Sequence, residues 1–125
     1  MGVIRGRFRT GDFGRRRFEQ LAAEALDSLP AWITDKMENV EVIVEEWPPD
    51  DRPDVLGLYE GIPLTARGQS YAGVLPDRIT LFRQNIQAHA ADDDHLKRIV
   101  RHTVAHEIAH HFGISDDRLR QIDRY

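Results

Sequence analysis

The chain has 125 residues, 41% of them hydrophobic and 30% charged, with a formal net charge of −4. That suits one domain over residues 1–125, with a single core and a well-solvated surface. No apolar run is long enough to cross a membrane, no apolar signal region opens the chain, and the lack of cysteine excludes disulfides and thiolate metal sites. A cytoplasmic location is the resulting expectation.

The charge is uneven. Arg5, Arg7, Arg9, Arg15, Arg16 and Arg17 against Asp12 give residues 1–17 a charge of +5, leaving −9 for the rest. Gly2, Gly6 and Gly11 among those arginines make residues 1–12 read as a flexible basic arm. Such an arm can reach nucleic acid or an acidic partner. The acidity of the remainder argues against nucleic acid.

Asp12 stands where it could cap a helix. Phe13, Phe18, Leu21, Ala22, Ala25, Leu26 and Leu29 then recur at helical spacing up to Pro30. Residues 31–37 add a short turn that buries Trp32 and Ile33. Residues 40–47 read as a first strand around β-branched Val42, Ile43 and Val44. Pro48-Pro49-Asp50-Asp51-Arg52-Pro53 breaks it as a surface loop with solvated carboxylates. Residues 55–59 form a second strand.

The connection from Gly61 to Asp77 is long and rich in Gly, Ser, Thr and Pro, and such loops tend to carry function. Its Arg67 and Tyr71 have the donors an oxyanion site uses. Residues 78–82 read as a third strand. Residues 83–91 show no clear period.

Asp92-Asp93-Asp94 is an acidic entry suited to the positive end of a helix. Leu96, Ile99, Val100, Thr103, Val104 and Ile108 mark the buried face of that helix through to Phe112. Gly113 can take positive φ and end it with a left-handed cap. A short helix over residues 115–124 finishes the chain.

The chemistry concentrates in His106-Glu107-Ile108-Ala109-His110, an H-E-x-x-H motif. Positions i and i+4 share a helix face, so two imidazoles there can reach one metal ion. Two neutral nitrogen ligands suit Zn²⁺, and the carboxylate between them can take a proton from water on that ion. A third ligand is needed. No glutamate follows His110, so the candidates are Asp116, Asp117 and Asp123. Asp116 gives H-E-x-x-H-x-x-G-x-x-D and occupies the third-ligand place of the longer motif of this type. Asp116 is therefore the expected ligand and Asp117 the alternate. His102 lies on the same stripe at spacing four, as a further ligand or a neighbour of one. His111, four residues from Glu107 around the helix, could orient a neighbouring group or simply favour the helix dipole.

With Gly57-Leu58-Tyr59-Glu60-Gly61, Pro63-Leu64, Pro76-Asp77-Arg78-Ile79-Thr80-Leu81 and residues 106–119 in view, the chain resembles a bacterial family of small zincin-like metallopeptidases. The resemblance covers residues 13–119. It implies an α+β minimal zincin-like fold, a small mixed sheet packed on helices with the motif on a long helix in the C-terminal half. It also implies one zinc per chain on His106, His110 and Asp116, with Glu107 as general base. In zincins at large an edge strand pairs with an extended peptide substrate, and by that analogy residues 78–82 are the candidate edge here. No methionine follows the motif, since Met1 and Met37 both precede it, and no second substrate-binding lobe is evident.

Two functions follow as expectations. The first is a zinc-dependent metallopeptidase acting on a peptide or protein substrate. The second is a non-catalytic, zinc-stabilised domain that binds a protein or peptide partner. Substrate and oligomeric state stay open.

Overall fold

The computed structural model describes residues 4–6, 13–61, 76–113, 115, 117 and 120. Among them the chain runs β1 (Ile4–Gly6), α1 (Phe13–Asp27), α2 (Ala31–Thr34), a 3-10 turn (Asp35–Met37), β2 (Val40–Glu45), β3 (Gly57–Glu60), β4 (Asp77–Phe82), α3 (Arg83–His89) and α4 (Asp93–Phe112). The strands form one mixed sheet of order β1-β2-β4-β3. The pairs β1/β2 and β2/β4 are parallel, and β3/β4 is antiparallel.

Strand alternation makes the core. Val40, Val42 and Val44 of β2 point to one face, and the register sets Val42 beside Ile79 and Val44 beside Leu81. Against that apolar face pack Phe18, Leu21, Ala22, Ala25 and Leu26 of α1 and Val100, Val104 and Ile108 of α4, all buried. The helical spacing of α1 and the buried face of α4 are as the sequence predicts, with Ile99 only partly covered and Ala105 and Ala109 also buried. Trp32 is half-buried against the core while Ile33 is fully enclosed.

Both ends of α4 are set by chemistry legible in the sequence. The Asp92 carboxylate accepts the His95 N–H at 2.8 Å, satisfying one of the orphan donors of the first turn. Gly113 ends the helix with φ 68° and ψ 32°, its N–H bonded to the Ala109 carbonyl.

Four expectations change. Residues 78–82 are not the sheet edge: β4 lies between β2 and β3. Its last four residues, Ile79 to Phe82, are all buried, as expected of a strand covered on both faces and flanked on both sides. The edge beside α4 is β3, short and opened by glycine. Secondly, Ile4–Gly6 is not part of a flexible arm. It pairs in parallel with Val42, Ile43 and Val44 as the opposite edge.

Thirdly, Arg15, counted in the basic run of residues 1–17, is not a solvated charge. It is 5% exposed, and its guanidinium donates to Glu19 at 3.1 Å, to Glu46 at 2.9 Å and to the Val44 carbonyl. Fourthly, β2 stops at Glu45, and Trp47 is exposed. Glu46 turns out of the strand to gather Arg15, Arg83 and Gln84. The ambiguous stretch 83–91 resolves into α3, whose Asn85 holds the preceding loop through the Pro53 and Val55 carbonyls. Asp12, the connection 62–75 and most of the final segment lie outside the described residues. No helix among those described is long and apolar enough to cross a membrane.

Candidate metal centre

Helix α4 carries His102, His106 and His110 at successive turns. His106 is half-buried, whereas His102 and His110 are exposed. The His106 and His110 ring centroids are 5.9 Å apart at 80° to each other, and His102 lies 4.0 Å from His106. Two imidazoles sharing a tetrahedral zinc, with Zn–N of about 2.0–2.1 Å, hold their centroids roughly 5 Å apart. The His106/His110 pair is close to that spacing, so small side-chain rotations would bring both nitrogens onto one ion. The donor set, imidazole nitrogen with carboxylate oxygen, is a zinc-type set.

Among the described residues no three imidazole or carboxylate groups enclose an ion together. Asp116, the expected third ligand, lies outside those residues, as do Arg67 and Tyr71. Asp117 is described: it is exposed and accepts from Arg120 at 3.3 Å.

Glu107 sits between the two histidines in sequence and turns toward β3. Its Oε1 accepts the Tyr59 N–H at 3.1 Å. Burial pushes the Glu107 carboxyl above the usual range; the Tyr59 N–H and the charges of His110 and Arg52 pull the other way and only partly offset it. Arg52 itself sits on the Pro48–Pro53 loop, which is exposed over residues 49–53 as the sequence predicts.

Two close approaches set β3 against α4. A Cβ built on Gly57 would lie 2.8 Å from the Thr103 Cγ2 and 3.1 Å from the Thr80 carbonyl. Only glycine lets the strand come this near the helix. Two residues on, the Tyr59 hydroxyl donates to Asp77 Oδ2 at 2.7 Å, and its ring stacks on His111 at 4.0 Å and 17°. His111 Nε2 lies 3.9 Å from the same Asp77 oxygen. The segments that hold Gly57, Tyr59 and Asp77 carry the family resemblance, but no local spacing in the sequence assigns those residues a role.

A small α+β domain with an H-E-x-x-H helix packed on a mixed sheet, and an antiparallel edge strand over the motif glutamate, defines a zincin-like architecture. A family model described as Zincin-like metallopeptidase matches residues 37–125, and the chain belongs to that family. The match starts at the last residue of the 3-10 turn, so α1 lies outside it although the resemblance read from sequence reached Phe13. No curated protein matches the chain. Zinc binding is the general property of such families, and the two histidine rings are spaced to take part in it.

Proposed function

We propose that the chain is a zinc-dependent hydrolase of peptide bonds, with His106, His110 and Asp116 holding the metal and Glu107 acting as general base. The observation that carries this reading is a carboxylate held by the edge strand of the sheet, on the same helical turns as two histidines at metal-sharing distance. Zinc, when bound there, supplies a Lewis acid for the scissile carbonyl and makes water more acidic.

The chain's own residues do the rest. Tyr59 fixes Glu107 Oε1, which leaves Oε2 to take a proton from water and hand it to the leaving amine. The Tyr59 N–H points at Glu107 and therefore away from β4. By strand alternation the Gly57 backbone faces outward too, consistent with the Leu56 carbonyl accepting from Phe82 on the β4 side. A peptide added to the β3 edge would pair past Tyr59, toward exposed Gly61, because Glu107 takes the Tyr59 N–H and Gly57 is buried against Thr103.

The test is cleavage of a mixed peptide pool by zinc-loaded protein, followed by mass spectrometry, beside Glu107→Gln. The expected result is zinc-dependent cleavage by the wild type, and retained zinc with turnover lost in the variant. Cleavage at the wild-type rate by Glu107→Gln would remove Glu107 from the mechanism. Absence of cleavage by zinc-loaded wild type across the pool would favour the non-catalytic, partner-binding domain instead.

A further inference from the structure

We infer that Tyr59 is a positioning residue for Glu107, acting as a clamp on the last turns of the motif helix with Asp77 as its anchor. The inference rests on the hydrolase reading for its catalytic meaning, but the clamp itself stands on geometry alone.

The Tyr59 backbone N–H holds Glu107 Oε1 at 3.1 Å, while its ring stacks at 4.0 Å on His111. Glu107 and His111 are four residues apart on α4 and so share a face one turn apart. One residue of β3 thus grips the motif helix at two successive turns, on either side of His110 in the helical ladder. Beyond His111 the helix is exposed: Phe112 is 44% accessible and Gly113 ends the ladder. Terminal turns of this kind fray unless something holds them.

The grip needs a fixed point, and Asp77 is one. It opens β4, its N–H donates to the Asn39 carbonyl at 3.0 Å, and its carboxylate is partly buried. The Tyr59 hydroxyl reaches that carboxylate at 2.7 Å, within the range of a strong charge-assisted bond. The same oxygen faces His111 Nε2 at 3.9 Å. A backbone N–H has no rotamer with which to follow a moving acceptor. The orientation of Glu107 therefore depends on where β3 stands, and the Asp77–Tyr59 bond fixes β3 at the residue that makes the contact. A displacement of about 1 Å at a catalytic group is enough to cost orders of magnitude in rate.

The test reads the contact directly, without zinc or substrate. In amide-resolved NMR of the full chain, the Tyr59 amide proton should lie downfield, because it donates to a carboxyl oxygen at 3.1 Å. Glu107→Gln gives the reference displacement for replacing that acceptor. Tyr59→Phe and Asp77→Ala should each move the Tyr59 position's amide in the same direction by at least about half that amount. Asp77→Asn should restore it, since a side-chain amide oxygen still accepts the hydroxyl. Should Asp77→Ala fail to fold, Tyr59→Phe, which removes one oxygen, decides alone.

An unmoved amide in folded Tyr59→Phe overturns the proposal. Where cleavage can be followed, Tyr59→Phe should lower kcat about tenfold with KM unchanged. A shifted amide in a protein that cleaves nothing would uphold the clamp and count against the hydrolase reading, so the two failures are separable.

Discussion

Strand β4 carries a charged cluster at each end, and the two are built on opposite plans. Just past its C-terminal end, both oxygens of Glu46 are taken by cations and an amide: Oε1 by Arg83 and Gln84, Oε2 by Arg15 and Arg83. Arg83's hydrogen bonds, more than burial can offset, hold Glu46 below the usual carboxylate range. At the N-terminal end, Glu107 is buried to a similar or greater degree with one backbone N–H on it, and its carboxyl is pushed up. The first cluster neutralises its charges internally. The second, among the described residues, holds its carboxylate through a backbone N–H beside exposed imidazoles rather than through a paired guanidinium. A closed network is what a scaffold uses, and an open one is where chemistry is placed.

Breaking the closed cluster should have the largest effect on stability. Arg15→Ala leaves Glu46, Glu19 and the Val44 carbonyl short of a buried donor, and should cost about 3 kcal/mol in denaturant unfolding. Zinc affinity of the folded variant should be unchanged. On the open cluster the pattern reverses. Under the proposed ligand set, Asp116→Ala should weaken zinc binding by about 100-fold, because a lost ligand costs at least as much as a lost neighbour of a ligand. Asp117→Ala, which removes only the exposed partner of Arg120, should bind zinc as the wild type does. Competition with a chromophoric chelator checks both.

A milder probe addresses the seam between strand and helix. Gly57→Ala forces its Cβ onto Thr103 and the Thr80 carbonyl, and should destabilise by about 2 kcal/mol. In a Thr103→Ser background the methyl is gone and the same change should cost less. The smallest effect concerns pH. Glu46 has a folded pKa below its unfolded one, so its stabilisation is full above the unfolded value and is lost as pH falls through the folded one. The carboxylate is one-third exposed, so the contribution is below about 1 kcal/mol. Glu46→Gln should flatten that acid limb of the stability profile, read by urea midpoints across pH.

The two clusters also differ in how far they could be read from sequence. His106, Glu107 and His110 lie within one helical turn or so, and local spacing alone puts them together. Helix α4 was legible for the same reason, from its acidic entry at Asp92 to Gly113, while the capping bond of Asp92 to the His95 N–H comes from the structure. Tyr59, Asp77 and His111 meet only once β3 is laid antiparallel on β4 and pressed against α4, and no local period encodes that. Arg15 looked like one more residue of a basic run, because its burial depends on Glu46 some thirty positions away. Ile4–Gly6 is three residues without alternation, and its strand form comes from pairing with β2. Helix α3 contributes one fully buried apolar residue, Ile86, too few to set a period. The order of the sheet went unread although Ile79 to Phe82 offered a sign of it, since a run of buried residues belongs to an interior strand.

The measurement that most directly tests the central claim is zinc content of purified wild type beside a His106→Ala, His110→Ala double variant, each incubated with zinc and dialysed. One zinc per wild-type chain and none in the variant, with both folded by circular dichroism, is the predicted result. A variant that keeps its zinc, or a wild type that takes up none, would contradict a metal centre on α4.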